Sequence, residues 1–222
     1  MSNQVEIKKM VRVNSSQFNY KYGDQIHFPY SIARLVSYIK TKEELSKKFQ
    51  FEKTFVFRDK INEYIKKCKE TDILLCSCYV WNWEITLHLA KEVKKINPKC
   101  LTIFGGPQVP NHSEKFFDKY PFVDIIVHGE GEYIIENILK EYLENKNFIE
   151  VKGIETKEFR NEAEPRINDL DGLPSPYLNN TVWDLVEKVE GVHWIASWET
   201  NRGCPYQCTF CEFSFWRIKR SN

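Results

Sequence analysis

The sequence predicts an α/β protein: a doubly wound parallel sheet with helices on both faces, followed by a linker and a cysteine-bearing loop. Three observations carry that expectation. Strand-like and helix-like segments alternate through the middle of the chain, and one strand-like run, Ile73 to Tyr79, is almost continuously apolar, as a strand covered on both faces must be. Successive strands also end in small or polar residues before the next helix. A composition of 42% hydrophobic and 14% aromatic residues is enough for a packed core.

Taken in order, Thr54 to Phe57 reads as a short strand, and 59–69 as a helix with Ile61, Tyr64, Ile65 and Cys68 on one face. In the apolar run that follows, Cys76 and Cys78 project into one layer. Free cysteine packs as a small hydrophobe, so core packing is preferred to metal binding for this pair, and likewise for Cys68 and Cys100. Trp83 to Ile96 reads as a helix with the stripe Ile85, Leu89, Val93 and Ile96; His88, at its edge, reads as a satisfied, partly buried histidine. Leu101 to Phe104 is a strand ending in Gly105-Gly106-Pro107. Val123 to Val127 is another, ending in His128-Gly129-Glu130-Gly131-Glu132 before a helix with Ile134, Ile135, Ile138, Leu139, Tyr142 and Leu143 on its apolar side. Both glutamates suit the positive end of that helix.

Right-handed crossovers keep parallel strands pointing one way. Ser77, Gly105-Gly106 and Gly129-Gly131 therefore share the carboxyl edge of the sheet, where open α/β folds bind ligands. Glycine at a strand-to-helix turn also occurs for steric reasons alone, and Gly129-x-Gly131 without a third glycine is no dinucleotide fingerprint.

Beyond this region, 152–166 alternates in charge and reads as a surface excursion that packs little. The prolines and glycine of Asp169 to Tyr177 disfavour helix and strand, as a linker should. Asn180 is placed to cap a short helix from Thr181 to about Val189, and His193 to Thr200 alternates as a strand from whose carboxyl end the cysteine loop hangs. These readings divide the chain into an α/β domain over 1–150, a connecting segment and linker over 151–180, and the start of a second domain over 181–222.

Cys204, Cys208 and Cys211 are spaced C-x3-C-x2-C. Closely spaced thiolates on one irregular loop suit three corners of a cubic 4Fe-4S cluster, and a fourth iron without a protein ligand is a binding position for something else. A structural zinc is the alternative; His193 would be its fourth ligand, from an awkward position on a strand. A disulfide framework fits less well, because the seven cysteines are odd in number and unevenly spread. Without an apolar N-terminal signal, the expected compartment is reducing and cytoplasmic. Interleaved charges, 32 basic and 31 acidic, argue against a nucleic-acid or membrane surface, and no apolar run reaches spanning length.

The run Arg202-Gly203-Cys204-Pro205-Tyr206-Gln207-Cys208-Thr209-Phe210-Cys211 closely resembles the cluster motif of the radical S-adenosylmethionine (SAM) enzymes. The resemblance implies that the amino and carboxylate groups of SAM chelate the open iron, that an electron from the reduced cluster cleaves the sulfonium to a 5'-deoxyadenosyl radical, and that Phe210 lies beside the adenine. Ser77-x-Tyr79-x-Trp81-Asn82, Gly105-Gly106-Pro107, Val123-Asp124 and Gly129-Glu130-Gly131-Glu132 are similar to the N-terminal domain of cobalamin-binding radical SAM proteins. That similarity implies a flavodoxin-like (Rossmann-like) fold whose Ser77, Tyr79, Trp81, Asn82, Gly105, Gly106, Gly129, Glu130 and Gly131 line a corrinoid pocket. It also implies that 181–222 begins a radical SAM β/α barrel, of which the first strand and cluster loop are present.

The Asp-x-His-x-x-Gly motif that supplies a lower cobalt ligand in many cobalamin proteins is absent. None of His27, His88, His112, His128 or His193 has that setting. Two expectations remain open: cobalamin bound without a histidine, or a fold kept after the cofactor was lost. The resemblance further implies radical methyl transfer to an unactivated carbon, an external electron donor, and a second chain or continuation supplying the rest of the barrel. The chain alone is expected to turn over no substrate. The competing function is a corrinoid or small-ligand binding module with a vestigial cysteine loop.

Overall fold

The computed structural model describes residues 10–111, 113–204 and 208–210. Its main sheet begins with β1 (Val11–Ser16). A small hairpin, β2 (Lys21–Tyr22) and β3 (Gln25–His27), leads to helix α1 (Tyr30–Lys40), the short α2 (Glu43–Ser46) and β4 (Phe49–Phe51). Helix α3 (Ile61–Lys67), flanked by single 3-10 turns, precedes β5 (Ile73–Ser77), α4 (Trp83–Ile96) and β6 (Leu101–Gly105). Then come α5 (Phe116–Lys119), β7 (Ile125–Val127), α6 (Gly131–Glu144) and β8 (Ile154–Glu155), and finally α7 (Thr181–Leu185) and β9 (His193–Ile195).

The sheet order is β4-β1-β5-β6-β7-β8, parallel throughout except for β8, which runs antiparallel to β7. All five residues of β5 are buried, as its apolar run requires of a central strand. Alternation then sorts its side chains between two cores. Ile73 and Leu75 join Val13, Ile103 and Ile125 beneath α1, α6 and α7, while Leu74 and Cys76 join Phe104 and Ile126 beneath α3 and α4. The sheet is thus covered on both faces.

Several local expectations need correction. The strand beside β1 is Phe49–Phe51, not 54–57, where Phe55 alone makes a bridge, to Ser16. Thr54 is diverted, its N–H donating to Leu185 O at 2.7 Å and its hydroxyl bonding Ser15 at 2.9 Å. Stripe residue Ile96 is exposed, as is His88; the buried face of α4 is Thr86, Leu87, Leu89, Ala90 and Val93. The charged stretch 152–166 is no loose excursion, because Ile154 is fully buried on β8 and the His128 N–H donates to Gly153 O at 2.8 Å. Gly153 sits at a φ of 75°, and a Cβ there would meet the Ile134 side chain at 2.5 Å.

Asn180 makes no side-chain cap and has a φ of 62°; the Thr181 N–H donates instead to Asn179 Oδ1 at 3.2 Å, and α7 ends at Leu185, where Val186 turns extended. The last strand spans only 193–195, and it is not alone: β9 lies parallel to β3 in a second, three-stranded sheet, β2-β3-β9. Trp194 stacks on Phe28 at 4.9 Å and meets Phe57 edge-on, so this sheet is anchored by aromatic packing. No helix among the described residues is long and apolar enough to cross a membrane.

Candidate functional site: a cavity at the carboxyl edge of the sheet

The chain leaves β5, β6 and β7 along one edge of the sheet, and the turns after β5 and β6 are interlocked. The Cys78 N–H donates to Gly105 O at 2.7 Å and Gln108 N–H to Cys78 O at 3.2 Å. Gly106, at a φ of 110°, lets these backbones meet: a Cβ there would fall 2.6 Å from Cys78 O. Asn82 is fully buried and secures the first turn. Its Oδ1 accepts from Tyr79 N–H at 2.8 Å, and its Nδ2 donates to Ser77 O at 2.9 Å and Phe18 O at 3.3 Å. Tyr79 is fixed further by a 2.6 Å hydroxyl contact with Ser31 and by stacking on Trp81 at 4.4 Å.

These turns surround a cavity of about 490 Å³. Ser77, Tyr79, Gly105, Gly106, Gly129, Glu130 and Gly131 line it; Asn82 stands behind the lining, and Trp81, 43% exposed, lies outside it as a support for Tyr79. Sequence reading missed two other walls. One is the start of α1, with Tyr30, Ser31, Arg34 and Leu35; the other is the segment 197–203 just before Cys204. A helical period in 30–40 was the available signal for the first, whereas nothing local marks the second.

Charge concentrates where these walls meet. Glu132, only 3% exposed, takes both guanidinium nitrogens of Arg202, with Nη1 at 3.1 Å from Oε2, and Arg34 approaches at 3.5 Å. Arg202 also contacts Glu199 at 3.1 Å and Glu130 at 3.6 Å, while Arg166 reaches Glu130 at 3.6 Å. Burial pushes the Glu132 carboxyl up, but the hydrogen bonds and charge of Arg202, with Arg34 behind it, hold it below its ordinary value. Burial acts against the Arg202 cation, and its carboxylate partners more than compensate, so its pKa stands above the ordinary value. Both groups are charged at neutral pH.

Of the three motif cysteines, Cys204 is half-buried and Cys208 exposed, while Cys211 lies outside the described residues; Phe210 is exposed. No His, Cys, Asp or Glu trio among the described residues is arranged to hold a metal ion. His193, the alternative zinc ligand, engages Asp24 Oδ2 through Nδ1 at 2.6 Å on the surface. His112 also lies outside the described residues. Cys68, Cys76, Cys78 and Cys100 are buried in the apolar core, and burial raises all four thiols, Cys68 and Cys76 to about 12; they pack as neutral side chains.

The residues present fit a corrinoid. Leu35, Leu75, Ile103, Val127 and Ile135 make an apolar floor, hydroxyl and guanidinium donors stand at the rim, and at Gly129, with a φ of 91°, nothing lies within 4 Å of where a Cβ would be. No described histidine lines the cavity; His128 instead bonds Glu155 at 3.0 Å.

Comparison with known proteins assigns a known domain to this part of the chain. The B12 binding domain family matches residues 49–139, which run from β4 into α6 and contain the turns at Ser77, Gly105 and Gly129. The cobalamin-dependent radical SAM methyltransferase TokK of Streptomyces tokunonensis is 34% identical over 186 residues, covering 81% of this chain and 27% of that protein. The 2-(S-pantetheinyl)-carbapenam-3-carboxylate methyltransferase of Streptantibioticus cattleyicolor is 33% identical over 187 residues, again covering 81% and 27%. The structure of the radical S-adenosylmethionine methyltransferase TsrM from Kitasatospora setae shares the fold, with a TM-score of 0.51 and 13% identity over 70% of this chain and 31% of that one. The chain thus spans 27% of the length of the two curated relatives. With the B12 binding domain mapped onto the cavity-bearing sheet and these relatives covering most of the chain, it belongs to the B12-binding-domain radical SAM proteins.

Proposed function

We propose that this chain forms the cobalamin-binding part and the cluster loop of a radical SAM enzyme that transfers a methyl group to an unactivated carbon. In this reading 1–150 is the cobalamin domain, 151–180 connects, and 181–222 opens the SAM-cleaving barrel. One observation carries it: residues 197–203, which lead directly into Cys204, wall the same cavity as the sheet edge that the B12 binding domain match contains. A ligand on that edge would therefore face the base of the cysteine loop.

Leu75, Ile103 and Val127 would hold the apolar face of cobalamin, with Ser31, Ser77 and Tyr79 offering hydrogen bonds at its margin. Cys204, Cys208 and Cys211 would hold a 4Fe-4S cluster with one iron left for SAM, and Phe210 would flank the adenine. When bound, these groups supply one-electron cleavage chemistry and a transferable methyl; the protein positions them and excludes water. An external electron donor and further barrel units, from a continuation or a second chain, complete the proposal. Substrate recognition would belong to those units.

Anaerobic reconstitution tests the cluster half. Wild type should take up iron and sulfide with broad visible absorption, and a Cys204→Ala, Cys208→Ala, Cys211→Ala variant should not. Equal iron in both, or a colourless zinc site retained through aerobic purification, would overturn it.

A further inference from the structure

Arg202 stands immediately before Gly203-Cys204, and its side chain is buried in the protein, 12% exposed. There it meets carboxylates of separate origin: Glu130 just before α6 and Glu132 in its first turn, and Glu199 from its own stretch of chain. The contact with Glu132 is two-pronged, which fixes orientation as well as distance. Arg202, Glu130, Glu132 and Glu199 all line the cavity. A buried ion pair adds little net stability compared with apolar packing, because desolvation offsets the attraction, but it specifies which surfaces meet. The other ties of 197–203 among the described residues are weaker: Glu199 lies 3.9 Å from Arg34 and its backbone bonds Tyr30, the Tyr177 hydroxyl is bonded to Ser197, and Trp198 is 88% exposed.

We infer that Arg202 is a positioning residue that latches segment 197–203, which leads into the cysteine loop, onto the N-terminal end of α6, so that order in this segment and occupancy of the cavity reinforce each other. Glu132 is the keeper of the latch, because it is buried and addressed by both Arg202 and Arg34. Segment 197–203 walls the cavity only while it is docked. A ligand that touches this wall favours the docked form, and by linkage the docked form holds the ligand more tightly. The coupling rests on the cobalamin reading of the cavity; the latch itself does not.

The test uses the full chain, iron-free, with hydroxocobalamin as probe, comparing wild type, Arg202→Ala and Arg202→Lys. Removing Arg202 leaves Glu132 paired with Arg34 alone, 3.5 Å away, so the variant should melt a few degrees lower, and exchange in the loop is read relative to β5 and β6 in the same protein. Without cobalamin, amide hydrogen exchange over 197–204, taken relative to β5 and β6, should be at least about tenfold faster in Arg202→Ala than in wild type. Hydroxocobalamin should slow exchange there in wild type, bind Arg202→Ala about tenfold more weakly, and leave its loop unprotected. Arg202→Lys, which keeps the charge but loses the fork, should fall between. Equal exchange over 197–204 in wild type and Arg202→Ala overturns the latch. Faster exchange with unchanged hydroxocobalamin affinity overturns the coupling. If wild type binds no hydroxocobalamin, the cavity reading and the coupling fail together, and the cobalamin-free exchange still decides the latch.

Discussion

Two glycines on the same sheet edge have different physical jobs. Gly106 needs both its left-handed φ of 110° and its missing side chain, because a Cβ would lie 2.6 Å from Cys78 O, whereas Gly129 needs only its φ of 91° and faces open space. Gly106→Ala should therefore destabilise by about 3 kcal/mol or more, and Gly129→Ala by about 1 to 2 kcal/mol from backbone strain alone. Urea midpoints of the two variants check this; equal costs would mean that the contact with Cys78 relaxes freely. Both glycines are evident in the sequence as strand-end residues, but their difference is not, since it depends on a backbone oxygen from another turn.

At the level of elements, the turn from β5 into α4 hangs on Asn82. It binds three backbone groups and is fully buried, so Asn82→Ala strands a buried N–H and two carbonyls. The variant should lose about 3 kcal/mol by chemical denaturation and release Tyr79 from its contact with Ser31, read as increased quenching of the Tyr79–Trp81 environment by iodide. Its role was legible only as membership of a motif; the structure makes it a brace behind the cavity wall. The long helices α4 and α6 and the strand β5 were readable because each has a strong apolar period or run. β1 was not, since Asn14 and Ser15 occupy buried positions and are satisfied from afar: Thr71 donates its hydroxyl to Asn14 Oδ1 at 2.6 Å, and Ser15 shares a hydrogen bond with Thr54. β8 was hidden for a similar reason: it is two residues long, and one of them is the buried Glu155, satisfied by His128 at 3.0 Å.

Across the whole molecule, the Glu132–Arg202 pair joins segments 70 positions apart and makes stability depend on acid. A carboxyl held below its ordinary value contributes stability above that value and loses it as pH falls through the native one. Stability should accordingly decline as pH drops below about 4.5, the ordinary glutamate value, and Glu132→Gln should flatten that decline. At neutral pH the variant should cost about 2 to 3 kcal/mol, near or below the lower end for a broken buried pair, because Arg202 keeps Glu130 and Glu199. Urea midpoints from pH 7 to pH 2.5 would measure both effects; an unchanged acid slope in Glu132→Gln would remove Glu132 as its source. From residue order alone came the α/β layering, the shared edge of Ser77, Gly105 and Gly129, and the cysteine spacing, since periodicity, chain direction and ligand chemistry are local properties. Only the tertiary structure brought β9 beside β3, put α1 on the cavity and seated Arg202 on Glu132. Such contacts join distant positions through burial and charge, and no local pattern encodes them.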